Sequence, residues 1–168
     1  AATGAYEAVA RPAREAVEDA QSRLIPTLIG EFGLPFDLEE KLAYQTGDFS
    51  THVQALKAYY NAMDANLLNC TIWNYTADNN NIRGDQWNGE DFSIFSRSQQ
   101  KDPSDMSSGG RALQALLRPY PKATAGEPTR LSFEIKRRVF ECEFRHLPLV
   151  KAPTEIFVPR SQYPDGYN

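Results

Sequence analysis

The order of apolar and polar positions predicts alternating helices and strands over the first two thirds of the chain. The segments "LIPTLIG" at 24–30 and "CTIWNY" at 70–75 are apolar runs without alternation. Such runs are typical of strands that are buried on both faces of a parallel sheet. A helix over 51–67 is predicted between them, because apolar residues recur there at helical spacing: Val53, Leu56, Tyr60, Met63 and Leu67. Strands that alternate with helices in this way indicate β/α units.

The pattern on either side of this region predicts further elements. A helix is expected to begin at Pro12 and to reach Leu24, and another over 109–118 ends before a proline. From 130 to 146, "RLSFEIKRRVFECEFRH" alternates apolar and polar residues around a basic centre. This alternation predicts an antiparallel hairpin, and "TEIFVP" at 154–159 predicts one more strand.

The change of period predicts two domains, with a boundary near residue 122 in the proline-containing segment "PYPKATAGEPT". Residues 1–122 then form an α/β region, and residues 123–168 form part of an antiparallel β domain. Two parallel strands with two apolar faces need more strands and helices than this chain supplies. We therefore expect the sequence to be an internal piece of a larger protein.

Composition excludes several classes of protein. The chain has 168 residues, of which 41% are apolar and 24% charged, and a net charge of -4. Its one dense cationic cluster is "KRR" at 136–138, so binding to nucleic acid is not expected. No stretch approaches the roughly 20 apolar residues of a membrane span. Cys70 and Cys142 lie in apolar runs and are expected to be buried free thiols, which favours a cytoplasmic or vacuolar location over secretion.

Candidate chemistry is found where the two apolar strands end. Glu31 ends the first strand, and Trp73, Asn74 and Tyr75 end the second. The carboxyl ends of parallel strands meet at one edge of a sheet, so these side chains should lie together. A carboxylate beside an aromatic ring suits a sugar, since the ring stacks on C–H groups while the carboxylate faces the anomeric carbon. Two other roles stay open, namely an acid that binds neighbouring loops for Glu31 and core packing for Trp73.

Several segments together resemble a known family of enzymes. These segments are "IPTLIGEFGLPFD", "GDFS", "CTIWNYTADNNNIRGDQWNGEDFSIFS", "GGRALQALLRPYPKATAG" and "PTEIFVPRSQYPDGY". They resemble glycoside hydrolase family 5, in the fungal branch of steryl β-glucosidases and glucosylceramidases that is related to endoglycoceramidases. The resemblance implies that 1–122 is the last two β/α units of a (β/α)8 TIM barrel and that 123–168 is part of a C-terminal antiparallel β-sandwich.

The resemblance also implies a reaction. Glu31 matches the catalytic nucleophile at the end of the seventh barrel strand, and Trp73 matches the floor of the sugar subsite after the eighth. The family's acid/base ends the fourth strand, which this chain lacks. The implied function is a retaining β-glucosidase that acts on a steryl β-glucoside or a glucosylceramide, without a cofactor. The alternative is a non-catalytic glycan- or glycolipid-binding relative.

Other residues are expected to contact the substrate or to support the site. Trp73, Asn74, Phe32, Trp87 and Glu90 are the predicted substrate contacts. Loop packing is an equal alternative for Phe32, Phe36 and Trp87. Asp85, Glu90 and Asp91 are expected to make polar contacts to the substrate or ion pairs that order the loop. The expected partners are a glycolipid, the remainder of the same barrel and, peripherally, membrane lipid.

Two other kinds of site are argued against. Asn79, Asn81, Gly84 and Glu90 match positions of a calcium loop, but Arg83 at its fifth position and the lack of flanking helices speak against a metal. His52 is predicted on the surface of a helix. His146 has no serine or acidic partner that can be placed, so a Ser/His/Asp triad is not supported.

Overall fold

The computed structural model of the chain describes residues 18–19 and 27–167. The helix predicted from Pro12 to Leu24 therefore lies outside the described residues, except for Glu18 and Asp19, which are helical. From residue 27 onward the elements follow in this order: β1 (Leu28–Phe32), α1 (Leu38–Thr46), α2 (Ser50–Ala65), β2 (Asn69–Ile72), a 3-10 turn (Arg97–Gln99), α3 (Leu113–Leu116), β3 (Tyr120–Ala123), β4 (Gly126–Glu134), β5 (Val139–His146) and β6 (Glu155–Phe157).

Strands β1 and β2 form a parallel pair, which confirms the predicted pairing. Leu28 lies opposite Asn69, and Ile29 lies opposite Cys70. The expectation that both faces are buried is wrong for the described part, because Leu28 is 58% exposed. Within residues 27–167 the sheet has only these two strands. Leu28 therefore has no further strand of the described chain to pack against.

Helix α2 contributes to the core, as its spacing predicted. Leu56 is fully buried and packs with Leu34 and Phe36 in one cluster. The prediction that His52 lies on the surface is wrong, since it is only 3% exposed. His52 lies one turn before Leu56, and this spacing places it on the same apolar face of the helix. Its ring stacks on Phe36 at 5.1 Å between centroids.

The helix predicted over 109–118 is mostly absent. Only Leu113–Leu116 is helical, and Ala112 before it has a left-handed φ of 51°. Gly110 instead forms a β-bridge with Phe95, and the Arg111 backbone N–H donates to Ile94 O at 2.8 Å. These contacts to a distant segment compete with the helical hydrogen bonds that the local pattern predicts.

The predicted hairpin is confirmed as β4 and β5, which pair antiparallel with Leu131 opposite Cys142 and Phe133 opposite Phe140. The last predicted strand is also present as β6. It pairs antiparallel with β3, a strand that the sequence pattern did not predict. Cys142 and Cys70 are free, but they are half-buried rather than buried. Burial raises the pKa of both thiols.

The β hairpin packs against helix α2. Lys57 Nζ lies 2.9 Å from Glu134 Oε1. Arg118 forms a salt bridge with Asp64, and its guanidinium lies 4.7 Å above the ring centroid of Tyr60. Burial raises the pKa of Tyr60 to about 12. These contacts connect the segment that begins at Arg118 to helix α2.

Further along the chain, Gln162 Nε2 donates to the backbone oxygens of Gln114 and Leu117, each at 2.9 Å. These two carbonyls lie in and just after α3, so the C-terminal segment holds the end of this helix. None of the helices among residues 18–19 and 27–167 is both long enough and apolar enough to span a lipid bilayer.

Candidate active site at the carboxyl ends of β1 and β2

Glu31 and Trp73 lie at the same end of the parallel pair. Glu31 is the penultimate residue of β1, and Trp73 directly follows β2. The Trp73 backbone N–H donates to Phe32 O at 2.7 Å, so the pairing continues up to the tryptophan. The Glu31 side chain is exposed, and its carboxylate accepts no hydrogen bond from the residues that the structure describes. This arrangement leaves the carboxylate available to a ligand.

Gly33 allows the two strand ends to approach each other. A Cβ atom at this position would lie 2.1 Å from the backbone oxygen of Trp73. Any side chain would push β1 away from Trp73, since non-bonded atoms do not approach so closely. The second glycine of "LIGEFG" is therefore required by contact between the two strand ends.

The long loop after Trp73 folds back onto the end of β2. The Trp73–Asn74 peptide bond is cis. The Asn74 backbone N–H donates to Phe92 O at 3.2 Å, and Asn74 O accepts from Ile94 N at 2.9 Å. The Asn74 side chain donates from Nδ2 to Asp85 Oδ2 at 2.9 Å. The predicted substrate contact Asn74 is thus fixed by both its backbone and its side chain.

Trp87 lies next to Trp73. The ring centroids are 6.4 Å apart, and the planes make an angle of 64°, which is an edge-to-face contact. Trp87 is 58% exposed, whereas Trp73 is half-buried. The pair presents an exposed aromatic surface beside the end of β2.

The remaining predicted residues are not all brought to this surface. The Phe32 ring packs edge-to-face on Tyr60 of α2, with centroids 5.2 Å apart. Phe36 is 1% exposed and belongs to the core, so the packing interpretation holds for it. Glu90 is exposed, and within the described ranges its carboxylate has no hydrogen-bond partner. Tyr75 is also exposed and contacts Phe95.

With this geometry in place, comparison with known proteins identifies the family. Residues 118–168 match the model of the glycoside hydrolase family 5 C-terminal domain. The chain is 35% identical over 153 residues to a glucosylceramidase of Rhizopus delemar, and this match covers 82% of the chain and 22% of that relative. The chain therefore carries a glycoside hydrolase family 5 C-terminal domain.

Two further proteins are similar to this chain. A crystal structure of Cryptococcus neoformans sterylglucosidase 1 matches with a TM-score of 0.74 and 37% identity, over 80% of this chain and 22% of that one. Ergosteryl-beta-glucosidase of Saccharomyces cerevisiae is 44% identical over 85 residues, which are 49% of this chain and 11% of the yeast protein. The chain thus spans about a fifth of the length of the glucosylceramidases that it matches.

The long loop after β2 is held by a buried cation that the sequence pattern did not single out. Arg111 is fully buried, and its Nη1 lies 2.8 Å from Asp91 Oδ1. Its Nη2 donates to Asn81 Oδ1 at 2.8 Å, and its Nε donates to Gln99 Oε1 at 2.7 Å. The expected loop-ordering ion pair is confirmed for Asp91. A sequence signal existed, since a cation in the first turn of the helix predicted over 109–118 opposes the helix dipole and indicates a specific partner.

Electrostatic coupling extends from this ion pair to α1. The Tyr44 hydroxyl donates to Asp91 Oδ2, and the Arg111 guanidinium carbon lies 4.8 Å from the centroid of the Tyr44 ring. Burial, together with the hydrogen bond to Asp91, raises the pKa of Tyr44 far above its ordinary value. The phenol therefore stays protonated and serves as a hydrogen-bond donor.

Two of the residues that match a calcium loop, Asn79 and Asn81, take part in this network. Asn79 Nδ2 donates to Asp91 Oδ1 at 3.1 Å and to Phe95 O at 2.6 Å. Asn81 Oδ1 accepts from Arg111 and from the Ser96 hydroxyl. In residues 18–19 and 27–167, no group of three His, Cys, Asp or Glu side chains is arranged to hold a metal ion.

Proposed function

We propose that this chain supplies the nucleophile-bearing part of a retaining β-glucosidase that releases glucose from a glycolipid. The observation that carries the proposal is that the exposed Glu31 carboxylate and Trp73 lie at the same end of two parallel strands. The glucosylceramidase and ergosteryl-beta-glucosidase among the relatives support glycolipid glucosides as the substrate class. A steryl β-glucoside and a glucosylceramide both fit this class.

We also propose that residues 1–122 are the last two β/α units of a (β/α)8 barrel and that 123–168 are part of a β-sandwich. The parallel pairing of β1 with β2, with α2 between them in sequence, supports the barrel assignment. The family match that begins at residue 118 supports the position of the boundary. The partner that completes the site is then the remainder of the same barrel.

In the proposed reaction, a Glu31 carboxylate oxygen attacks the anomeric carbon and forms a covalent glucosyl-enzyme. The bond to the lipid oxygen breaks as a second carboxyl group, about 5 Å away and outside this chain, donates a proton to that oxygen. The same group then accepts a proton from water, which releases glucose with the configuration of the substrate. Glu31 suits the first step because no described group competes for its lone pairs.

The aromatic pair would hold the substrate. Trp73 stacks on the sugar, and the exposed Trp87 extends the apolar surface toward the lipid. Glu90 and Asn74 supply polar contacts near the glucose, Glu90 through its exposed carboxylate. Phe32 supports the end of β1 by packing on α2. Because the aglycone is a membrane lipid, the full protein would meet the bilayer peripherally during binding.

The test compares Glu31→Gln with the unaltered sequence in the full-length protein that carries this chain. We expect hydrolysis of steryl glucoside and glucosylceramide to fall by several orders of magnitude, because the amide keeps the shape and loses the nucleophile. Binding of glycolipid should persist. In Glu31→Gly, added azide should restore turnover and give the glucosyl azide of inverted configuration.

Glu40→Gln is the matched control, since Glu40 is also exposed but lies in α1 and not in a strand. Its activity should equal that of the unaltered protein. Full activity of Glu31→Gln would remove Glu31 from the mechanism. Binding without hydrolysis by the unaltered protein would instead favour the non-catalytic relative.

A further inference from the structure

We infer that Asp85 is a positioning residue that fixes Trp87 against Trp73 and thereby sets the preference of the site for a large apolar aglycone. This inference rests on the proposed function and deepens it. Asp85 is 8% exposed, and in the described part of the chain no Lys, Arg or His forms a salt bridge with it. A buried carboxylate in this setting must be satisfied by hydrogen bonds from neutral groups.

The carboxylate of Asp85 joins three separate pieces of the loop. Oδ2 accepts from the Asn74 side chain at 2.9 Å and from the Phe92 backbone N–H at 3.1 Å. Oδ1 accepts from the Trp87 backbone N–H at 3.0 Å. The first contact reaches the end of β2, and the last reaches the exposed tryptophan. Asp85 therefore fixes the position of Trp87 relative to the end of β2.

The backbone around Trp87 shows that its position is imposed. Gln86 and Asn88, on either side of it, have left-handed φ values of 67° and 51°. Gly84 has φ 63°, and a Cβ there would lie 2.3 Å from the backbone oxygen of Glu90. Non-glycine residues adopt left-handed φ at a cost, and such residues cluster at ligand sites. Since Trp87 is 58% exposed, its own burial does not offset this cost.

Trp87 lies on the solvent side of Trp73. Displacement of the Trp87 ring should therefore weaken binding of the lipid part of the substrate more than binding of the sugar. A small soluble aryl β-glucoside fills the sugar subsite but hardly reaches this ring, whereas a steryl glucoside or glucosylceramide extends past it. The diagnostic quantity is the ratio of kcat/KM for the glycolipid to kcat/KM for the aryl glucoside. Both values come from one preparation, so the fraction of folded enzyme cancels from the ratio.

The experiment measures this ratio in the full-length protein for Asp85→Asn, Trp87→Ala and the double variant. In Asp85→Asn, an NH2 group replaces one of the two carboxylate oxygens. This donor then faces a group that donated a hydrogen bond to the oxygen. We expect the ratio to fall roughly ten- to hundredfold, the loss that corresponds to one hydrogen bond to a charged group. The double variant should match Trp87→Ala, because a residue that acts through Trp87 has no effect once Trp87 is gone.

Asp78→Asn serves as the control, since it removes the same charge from the same loop and its exposed carboxylate accepts from Gln86 Nε2 rather than from a backbone group of the site. Its ratio should stay unchanged.

If Asp85→Asn does not fold, Asp85→Glu is measured by the same criteria, since it displaces the acceptors and keeps the charge. An unchanged ratio for the Asp85 variant, or multiplicative losses in the double variant, would overturn the inference. A protein that hydrolyses neither substrate before mutation would overturn the proposed function itself.

Discussion

At the scale of single residues, the polar side chains of Glu31 and His52 differ in exposure from what their neighbours in sequence suggest. Glu31 follows an apolar run, yet its carboxylate is exposed at the strand end. His52 lies in the polar first turn of α2, yet it is buried, and neither ring nitrogen has a hydrogen-bond partner among the described residues. Strand direction and helical spacing therefore decide what each side chain faces, while the polarity of its immediate neighbours does not.

A first prediction separates the two roles that Trp73 could have. If the indole supports a sugar, Trp73→Ala in the full-length protein should lower catalysis by about 1–3 kcal/mol of transition-state binding, by analogy with other aromatic stacking sites. Core packing alone would instead lower the free energy of unfolding by roughly 3–5 kcal/mol. Melting temperature and turnover per titrated active site measure the two effects separately. A large loss of melting temperature with unchanged turnover per site would contradict stacking.

A second prediction concerns pH and His52. Burial, with a contribution from the Arg111 charge, lowers the pKa of His52 below its ordinary value of 6.5. As the pH falls through 6.5, the unfolded chain takes up a proton that the folded chain does not. The folded state should therefore lose stability on the acid side of this value. His52→Phe, which keeps a flat ring against Phe36, should be relatively more stable at low pH.

The measurement is the melting temperature of both full-length proteins between about pH 8 and about pH 5. The difference between variant and unaltered protein should be constant well above pH 6.5 and should grow as the pH falls through this value. A constant difference over this range would show that the His52 ring is not a source of acid sensitivity.

At the scale of elements, the long segment between β2 and α3 has little regular structure and depends on buried polar contacts. Arg111 connects α1 to this segment, because it pairs with Asp91 and lies over Tyr44. Phe36 N also donates to Asp91 O at 2.7 Å. Such a network replaces the backbone ladders that hold helices and strands.

A third prediction follows for Arg111→Met. Removing one partner of a buried ion pair leaves the Asp91 charge uncompensated and should destabilise the fold by about 3–5 kcal/mol. Arg130→Met is the matched control, since Arg130 pairs with Glu141 and Glu143 on the surface of the hairpin. Exposed pairs of this kind contribute at most about 1 kcal/mol. Denaturant unfolding compares the two, and equal losses would contradict a special role for the buried pair.

The sequence predicted those elements whose pattern is local. Helix α2 and the hairpin each repeat an apolar spacing, and the two parallel strands are continuous apolar runs. The positions of Glu31 and Trp73 follow from where these strands end. The pattern gave a wrong prediction where contacts between residues distant in sequence determine the local structure. The helix predicted over 109–118 is displaced by contacts of Gly110 and Arg111 with residues 94–95. The partners of Arg111 lie 12 to 30 positions away in the sequence, so no local periodicity predicts them.

At the scale of the whole molecule, each sheet among residues 27–167 has two strands. A two-stranded sheet is marginally stable unless one face packs against another layer. Helix α2 supplies such a layer for β4 through Lys57 and Glu134, but Leu28 in β1 remains 58% exposed. The apolar side of the parallel pair is thus suited to a further layer of protein.

A fourth prediction concerns the 168-residue chain expressed by itself. We expect it to associate with itself and to bind a hydrophobic dye, because Leu28 of the parallel pair and Leu38 and Leu42 of α1 are exposed. Sedimentation and thermal scans at several concentrations provide the measurement. A soluble monomer with one cooperative transition would contradict both this expectation and the barrel proposal.

The hydrogen bonds of Gln162 bear on how this protein can vary in evolution. Its amide contacts backbone oxygens, which every amino acid offers, so positions 114 and 117 are free to change without loss of these bonds. The Lys57–Glu134 contact joins two side chains, so a change at one position favours a compensating change at the other. Coupled substitution between the two halves of the chain should therefore concentrate at positions 57 and 134. Recombination of C-terminal halves between relatives should succeed most readily when this charge pair is exchanged as a unit.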